Sequence, residues 1–427
     1  MASTTHPTGT GTGSSWIVIV SAGVAAGLQV WKLPPALPYL RHDLSLPLVQ
    51  AGTLLGIVQL AGMLGGLAIS LLAELIGERR CLSLGLVLLF LGSAGGGFAW
   101  SAAPLLASRA VEGAGFILVA VTGPGLIRRS TPPGRFTTAM GFWGAYQGIS
   151  TFAGLITGAL VLQVVPWRVW WWAMAVLALA PLPFVLARVP RDGVRGARAA
   201  AAALARIGRT VRAPAPWTAG LVFACYTLQW MAVVGFLPTI YRDSGMTGIW
   251  PGVLSALVGA ANAIGSITTA AFMKRGLPAR VLLIPAFTLM ATTSLLAFVP
   301  HWRALPAGTT WQFLCVAAFS LIGGAIPAAL LSMIGELTPT GGSAPATMGL
   351  IQQLFNAGSF VGPTLAAWLA TRTGGWQSTW WMTCACAAVG MVLSLRLRLR
   401  PGATVPVVDA TTALATSAQP SEPSRRR

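Results

Sequence analysis

Charge is scarce in this chain, and acid is scarcest of all. Only 9% of the 427 residues are charged, and 9 of those are Asp or Glu against 28 Lys or Arg. A water-soluble domain carries about 25% charged residues, so this deficit excludes an ordinary soluble enzyme or binding module. Histidine is nearly missing too: His6, His42 and His301 fall in a tail and in connecting loops, where no nucleophile or orienting acid joins them. The five cysteines, Cys81, Cys225, Cys315, Cys384 and Cys386, lie in or beside apolar runs and read as small hydrophobes. Cys384-Ala385-Cys386 is too tightly spaced for the usual zinc pattern. No glycine-rich phosphate loop occurs, so ATP-driven work is unsupported. No metal, cofactor or enzymatic activity is expected.

What the chain has is apolar length. It is 55% hydrophobic with a mean hydropathy of +0.72. About 20 mostly apolar residues cross a bilayer as a helix. Twelve such runs can be marked, at 16–39, 48–73, 81–100, 104–127, 138–164, 168–187, 217–240, 250–272, 281–299, 311–336, 344–370 and 378–396. Trp16, Trp100, Trp167, Trp217, Trp250, Trp311 and Trp376 sit at run ends, as interfacial aromatic belts do. The first run is too long for the core of a secretory signal and follows a tail without Lys or Arg, so it is expected to stay in the protein. The fold class is therefore an all-α membrane protein.

A net charge of +19 raises the thought of nucleic acid, and position argues against it. Twenty-one basic residues fall in the tails and even-numbered loops, five in the odd-numbered loops, and two, Lys32 and Arg109, inside runs. That asymmetry puts both termini and the central loop in the cytoplasm of a multi-pass inner-membrane protein, with the bilayer as partner rather than nucleic acid. Residues 1–15 form a Gly/Ser/Thr-rich tail and residues 398–427 a Pro/Ala/Ser-rich one, both expected to be disordered. Residues 188–216 are a basic linker, either topogenic or a surface helix on anionic headgroups. It separates two six-helix bundles, 16–187 and 217–397.

The bundles look duplicated at an offset of 200. Leu28-Gln29 meets Leu228-Gln229, Leu37-Pro38 meets Leu237-Pro238, and Arg80 meets Arg280. Gly52, Leu54, Val58, Ala61 and Gly65 meet Gly252, Leu254, Val258, Ala261 and Gly265. Apolar helices match by chance, but a constant offset through two helices and a loop points to parallel repeats.

These residues resemble the major facilitator superfamily. Ser70-Leu-Leu-Ala-Glu74-Leu-Ile-Gly-Glu-Arg79-Arg80 is similar to the family's loop signature after helix two, with Ser70, Leu75 and Glu78 departing from it. Arg109-Ala-Val-Glu112-Gly113-Ala-Gly115 matches the second signature in helix four, and Trp167-Arg168 also fits. A narrower likeness, to cyanate and nitroimidazole permeases, rests on Lys32-Leu-Pro-Pro-Ala-Leu-Pro, Phe236-Leu-Pro-Thr239, Gly323-Gly-Ala-Ile-Pro327 and Gln353-Leu-Phe-Asn356-Ala-Gly358. The resemblance implies twelve spans in two six-helix repeats, with alternating access to a site between them, and the branch implies a small solute, often an anion. Helix five has Gly148, Gly154 and Gly158 but lacks the Gly-Pro pair of the family's antiporters, which weighs against drug/proton antiport. A monomer is expected.

Lys32 is the sharpest candidate. A charge in a spanning helix is costly unless it faces a polar interior, so it reads as an anchor for an anion; the competing reading is a lysine snorkelling to headgroups. Arg109 and Glu112 are three apart on one helical face and can pair. The resemblance gives this arginine a part in proton coupling, with Glu112 as the protonatable partner; a structural ion pair is the alternative. Gln29, Tyr146, Gln229, Gln353 and Asn356 are candidate substrate contacts, with helix–helix hydrogen bonding as the rival role. Glu74, Arg79 and Arg80 stand where the family's cytoplasmic gate lies. Glu74 has the N-terminal end of helix eleven as a candidate partner, or is simply a solvated loop acid. Export of a lipophilic compound and a non-transporting sensor remain the alternative functions.

Overall fold

The computed structural model describes residues 15–192, 197–299 and 307–397. Both tails and a short part of the linker lie outside them. Every described element is helical, which is what a bilayer demands: with no water to bond it, each backbone N–H and C=O must be satisfied within its own segment.

Twelve spans result, several of them broken. The first is α1 (Ser15–Trp31) and α2 (Leu33–Asp43), hinged at Lys32; the second is α3 (Leu48–Gly56), a 3₁₀ turn (Ile57–Gln59) and α4 (Leu60–Ile76). Then come α5 (Glu78–Gly97), α6 (Ala102–Ser130), α7 (Pro133–Val161), and a sixth span split into α8 (Trp167–Leu179) and α9 (Leu182–Arg188). The linker carries α10 (Ala197–Arg212). The second half has α11 (Pro214–Asp243), α12 (Trp250–Lys274) and α13 (Ala279–Phe298). Its tenth span divides into α14 (Gly308–Gly323) and α15 (Ala325–Ser332), with a short α16 (Ile334–Leu337), before α17 (Ala344–Thr373) and α18 (Thr379–Arg396). Ten spans are long and apolar enough to cross a membrane by composition alone; the other two, α7 and α17, are 29 and 30 residues long.

The break at Lys32 has a plain cause. Pro34 and Pro35 have no N–H to continue the α1 ladder, and both fit the opening turn of α2. Lys32 keeps its own bond to Leu28 O at 2.9 Å, while its carbonyl accepts from Trp170 Nε1 at 3.1 Å.

Duplication is visible as chemistry. Asp43, at the end of the first span, accepts from Trp167 Nε1 at 2.8 Å; Asp243, at the end of the seventh, accepts from Trp376 Nε1 at 2.9 Å. Each tryptophan opens the last span of its own half, so the same bond closes both bundles.

The halves meet along α3–α4 against α17, α7 against α12, and α2 against α11. At the arginine-rich end, Gly77 turns the chain from α4 into α5 with φ +101°, and a Cβ there would lie 2.2 Å from Asp192 Cγ. Only glycine combines that backbone with that approach.

Candidate functional site

The hinge in the first span turns Lys32 inward. Its ammonium donates to Gln29 Oε1 at 2.9 Å, Ser93 Oγ at 2.7 Å and Glu112 Oε1 at 2.8 Å, using all three of its donors. The Trp171 ring lies 4.7 Å away, close enough for a cation–π contact. The ammonium is thus surrounded by α5, α6 and α8 of its own half and is turned toward neither lipid headgroups nor the other half. Arg109, one helical turn before Glu112, bonds through Nη1 to Glu112 Oε2 and to the Gln29 carbonyl, the latter at 2.6 Å. Lys32, Arg109 and Glu112 are each 0% exposed.

Position on the helices explains the gathering. Arg109 and Glu112 project from one face of α6, and Gly92 on α5 leaves room for the Glu112 stem. Ser93, next along, is held by its own bond to Trp171 O at 2.8 Å. Gln29 is fixed from behind by donating to Met174 O at 2.9 Å. With both basic groups charged and Glu112 ionised, two cations face one anion, and one positive charge is left over in a dry interior. Arg109 Nε and Nη2 are buried with no hydrogen-bond partner among the described residues. An uncompensated buried cation with free donors is a costly arrangement, and it suits an anion.

The second half holds a neutral counterpart. Asn262 Nδ2 donates to Tyr226 OH at 2.9 Å and to Ser320 O at 2.8 Å, and Trp230 Nε1 donates to Ser320 Oγ at 3.1 Å. Trp230 meets Trp31 edge-on across the two halves, centroids 5.3 Å apart.

The remaining candidates divide. Gln29 belongs to the charged group. Gln229 donates to Cys225 O of its own helix at 3.0 Å, and its Oε1 is buried with no partner among the described residues. Tyr146 packs against Trp143 with the rings tilted by 35° and centroids 4.7 Å apart. Gln353 and Asn356 line the seam where α17 meets α4; Gln353 Nε2 donates to Met63 O at 2.8 Å. Arg79 and Arg80 present their backbone N–H groups to Asp192 at 3.2 and 3.1 Å, within the first half. The side chain of Glu74 lies outside the described residues. At the same end, Arg209 on α10 donates to Gly341 O at 3.0 Å, and Ser343 N donates to Thr210 Oγ1 at 3.1 Å, tying the linker to the second half.

Ser93, Trp171 and Asp192 were not among the sequence candidates. A lone serine or tryptophan in an apolar run has no periodicity to mark it; only the packing of α5 and α8 on α1 reveals its role.

A polytopic bundle of twelve spans in two repeats, with buried charge confined to one of them among the described residues, defines a membrane-transporter fold. The model of the Major Facilitator Superfamily matches residues 19–317 and 219–424, and the chain belongs to that family. It is 26% identical over 390 residues to the cyanate transport protein CynX of Escherichia coli (strain K12), covering 89% of this chain and 96% of that one. It is 25% identical over 386 residues to a chloramphenicol resistance protein of Streptomyces lividans, covering 89% and 95%. Among solved structures, a D-xylose-proton symporter superposes with a TM-score of 0.71 at 16% identity, covering 92% of this chain and 98% of that one. A bacterial homologue of the human lysosomal transporter Spinster gives 0.72 at 14% identity, covering 91% and 98%. At these identities the structural likeness speaks for the fold alone.

Proposed function

We propose that this protein is a secondary active transporter in the inner membrane, both termini cytoplasmic, moving a small anion by alternating access and taking a proton with it on Glu112. The observation that carries the reading is the buried Lys32–Glu112–Arg109 group, in which two basic side chains share one carboxylate and two Arg109 donors have no partner among the described residues. Glu112 bridges both cations. Protonating it removes the bridge's charge and leaves Lys32 and Arg109 to attract an anion; losing the proton restores the bridge and expels the anion. Anion and proton are thereby linked through one carboxylate, and no step leaves Glu112 ionised without a cation beside it. Gln29, Tyr146, Gln229, Gln353 and Asn356 serve as neutral contacts from both halves, and the Glu74–Arg79–Arg80 loop acts at the cytoplasmic gate. The similarity to a cyanate transport protein supports a small anion as cargo.

The test is uptake of small anions into proteoliposomes under an imposed pH gradient. Lys32→Gln is expected to abolish uptake, and Glu112→Gln to lose accumulation driven by the gradient. Wild-type accumulation in both variants overturns the reading.

A second reading, export of a lipophilic compound, is favoured by the aromatic wall of Trp31, Phe223, Tyr226, Trp230 and Phe355 and by the match to a chloramphenicol resistance protein. Export from inverted vesicles, insensitive to Lys32→Gln, separates it from the first.

A further inference from the structure

The seam between α4 and α17 holds polar atoms without a hydrogen-bond partner among the described residues. Gly62 and Gly66 face α17, and a Cβ on Gly62 would sit 2.1 Å from Asn356 Nδ2. Without that Cβ the amides of α17 reach into the interface. Gln353 Nε2 donates to Met63 O, which fixes the other end of that amide as oxygen. Gln353 Oε1 is buried without a partner, as are both Oδ1 and Nδ2 of Asn356. Gln59, on the 3₁₀ turn packed between α6 and α17, likewise has a buried, unpaired Oε1.

Buried polar atoms are nearly always paired, so each of these four penalises the shut seam and calls for a partner when the halves part. Three are carbonyl oxygens and one is an amide nitrogen. Such a set is complementary to something that donates hydrogen bonds, and a bare anion donates none. The charged group lies close by: Gly113, the residue after Glu112 on α6, packs on Val58, the residue before Gln59, and a Cβ on Gly113 would lie 2.3 Å from Val58 O.

We propose that Gln59, Gln353 and Asn356 form a hydrogen-bonding seat for the transported solute, and that the solute is a small carboxylate-like anion carrying an N–H or O–H donor on its far edge. This deepens the anion reading and rests on it. Arg109 and Lys32 take the charge; the seam amides take the donor. Selectivity then lies at the seam between the halves, while charge recognition lies inside the first.

The test is binding to the full-length protein in lipid nanodiscs by isothermal titration. The probes are pyrazole-4-carboxylate, whose N–H lies on the edge opposite the carboxylate, its N-methyl derivative, which keeps the charge but has no donor, and the neutral pyrazole-4-carboxamide. The donor-bearing acid is expected to bind roughly tenfold tighter than its N-methyl form, the effect of one hydrogen bond to a buried acceptor. Asn356→Ala and Gln59→Met are each expected to shrink that preference below about twofold. Equal binding of the two acids overturns the seat, as does an undiminished preference in both variants, which makes the seam a water-filled joint. If only the carboxamide binds, and Asn356→Ala weakens it, the seat stands and the anion reading falls. Binding of none of the three overturns the seat.

Discussion

At the scale of single residues, the charged group makes an ordered prediction. The wild-type triad sums to one positive charge when all three groups are ionised. Lys32→Met leaves the neutral Arg109–Glu112 pair, whereas Glu112→Gln leaves two cations facing each other with no anion. Removing one partner of a buried ion pair costs about 3–5 kcal/mol because the other stays charged in a dry site. Glu112→Gln is therefore expected to destabilise more than Lys32→Met, and the double variant less than Glu112→Gln alone. Thermal unfolding in detergent checks the order; equal losses in the two single variants would show that the residual charge is not what matters. The three charges were legible because ionisable residues inside apolar runs are rare enough to be noticed one at a time. Where Lys32 points was not legible. Sequence left it between a polar interior and the headgroups, and the structure sets it against Ser93, Glu112 and Trp171 inside its own bundle. That choice depends on how α5 and α8 pack, and no local pattern encodes it.

Among whole elements, the turn from α4 to α5 is fastened to the end of the sixth span by Asp192. Its carboxylate accepts from the backbone N–H groups of Arg79 and Arg80 and from Arg129 Nη2 at 2.9 Å, with 6% of its side chain exposed. Burial alone would raise its pKa; the hydrogen bonds from Arg129, Arg79 and Arg80 and the Arg129 charge outweigh burial and hold it below the usual carboxylate value. A carboxyl with a depressed folded pKa adds stability above its unfolded pKa of about 3.9, and that contribution is lost as pH falls through the folded value. Asp192→Ala is expected to cost about 1–3 kcal/mol at pH 7 and progressively less below about pH 4. Melting curves across that range check it; a pH-independent loss would mean the residue acts through packing alone. The apolar runs predicted the spans because length and composition suffice for that. Gly323, Gly324 and Pro327 mark a bending site in the sequence, and α14 ends there; the break after Leu179 has no such reading, although Pro181 follows it. Nor did the offset-200 pattern, read from apolar identities, single out Asp43 and Asp243, whose equivalence rests on matched tryptophan partners.

Over the whole molecule, the two ends are held in different ways. At the arginine-rich end α10 ties the linker to the start of α17 through Arg209 and Thr210. At the opposite end α2 packs directly on α11, and Arg242 Nη2 donates to Tyr39 OH at 2.9 Å, its guanidinium 4.7 Å from the same ring. Gln163 adds a second donor to that hydroxyl at 3.2 Å. Pro38 directly precedes Tyr39, and Pro238 lies one turn before Arg242, on helices that must bend if that end is to open. Alternating access needs two states within a few kcal/mol, and a single cation–π and hydrogen-bond contact between halves is of that order, enough to hold one state without locking it. A protein bearing only Tyr39→Cys and Arg242→Cys, with its five native cysteines replaced, is therefore expected to stop transporting when oxidised and to recover on reduction. Tyr39→Phe keeps the ring and loses the hydroxyl, so it is expected to raise labelling of positions uncovered when that end opens by severalfold rather than abolish transport. If the oxidised pair transports as freely as the reduced one, α2 and α11 stay together throughout the cycle, and the motion that exposes the site lies elsewhere in the bundle.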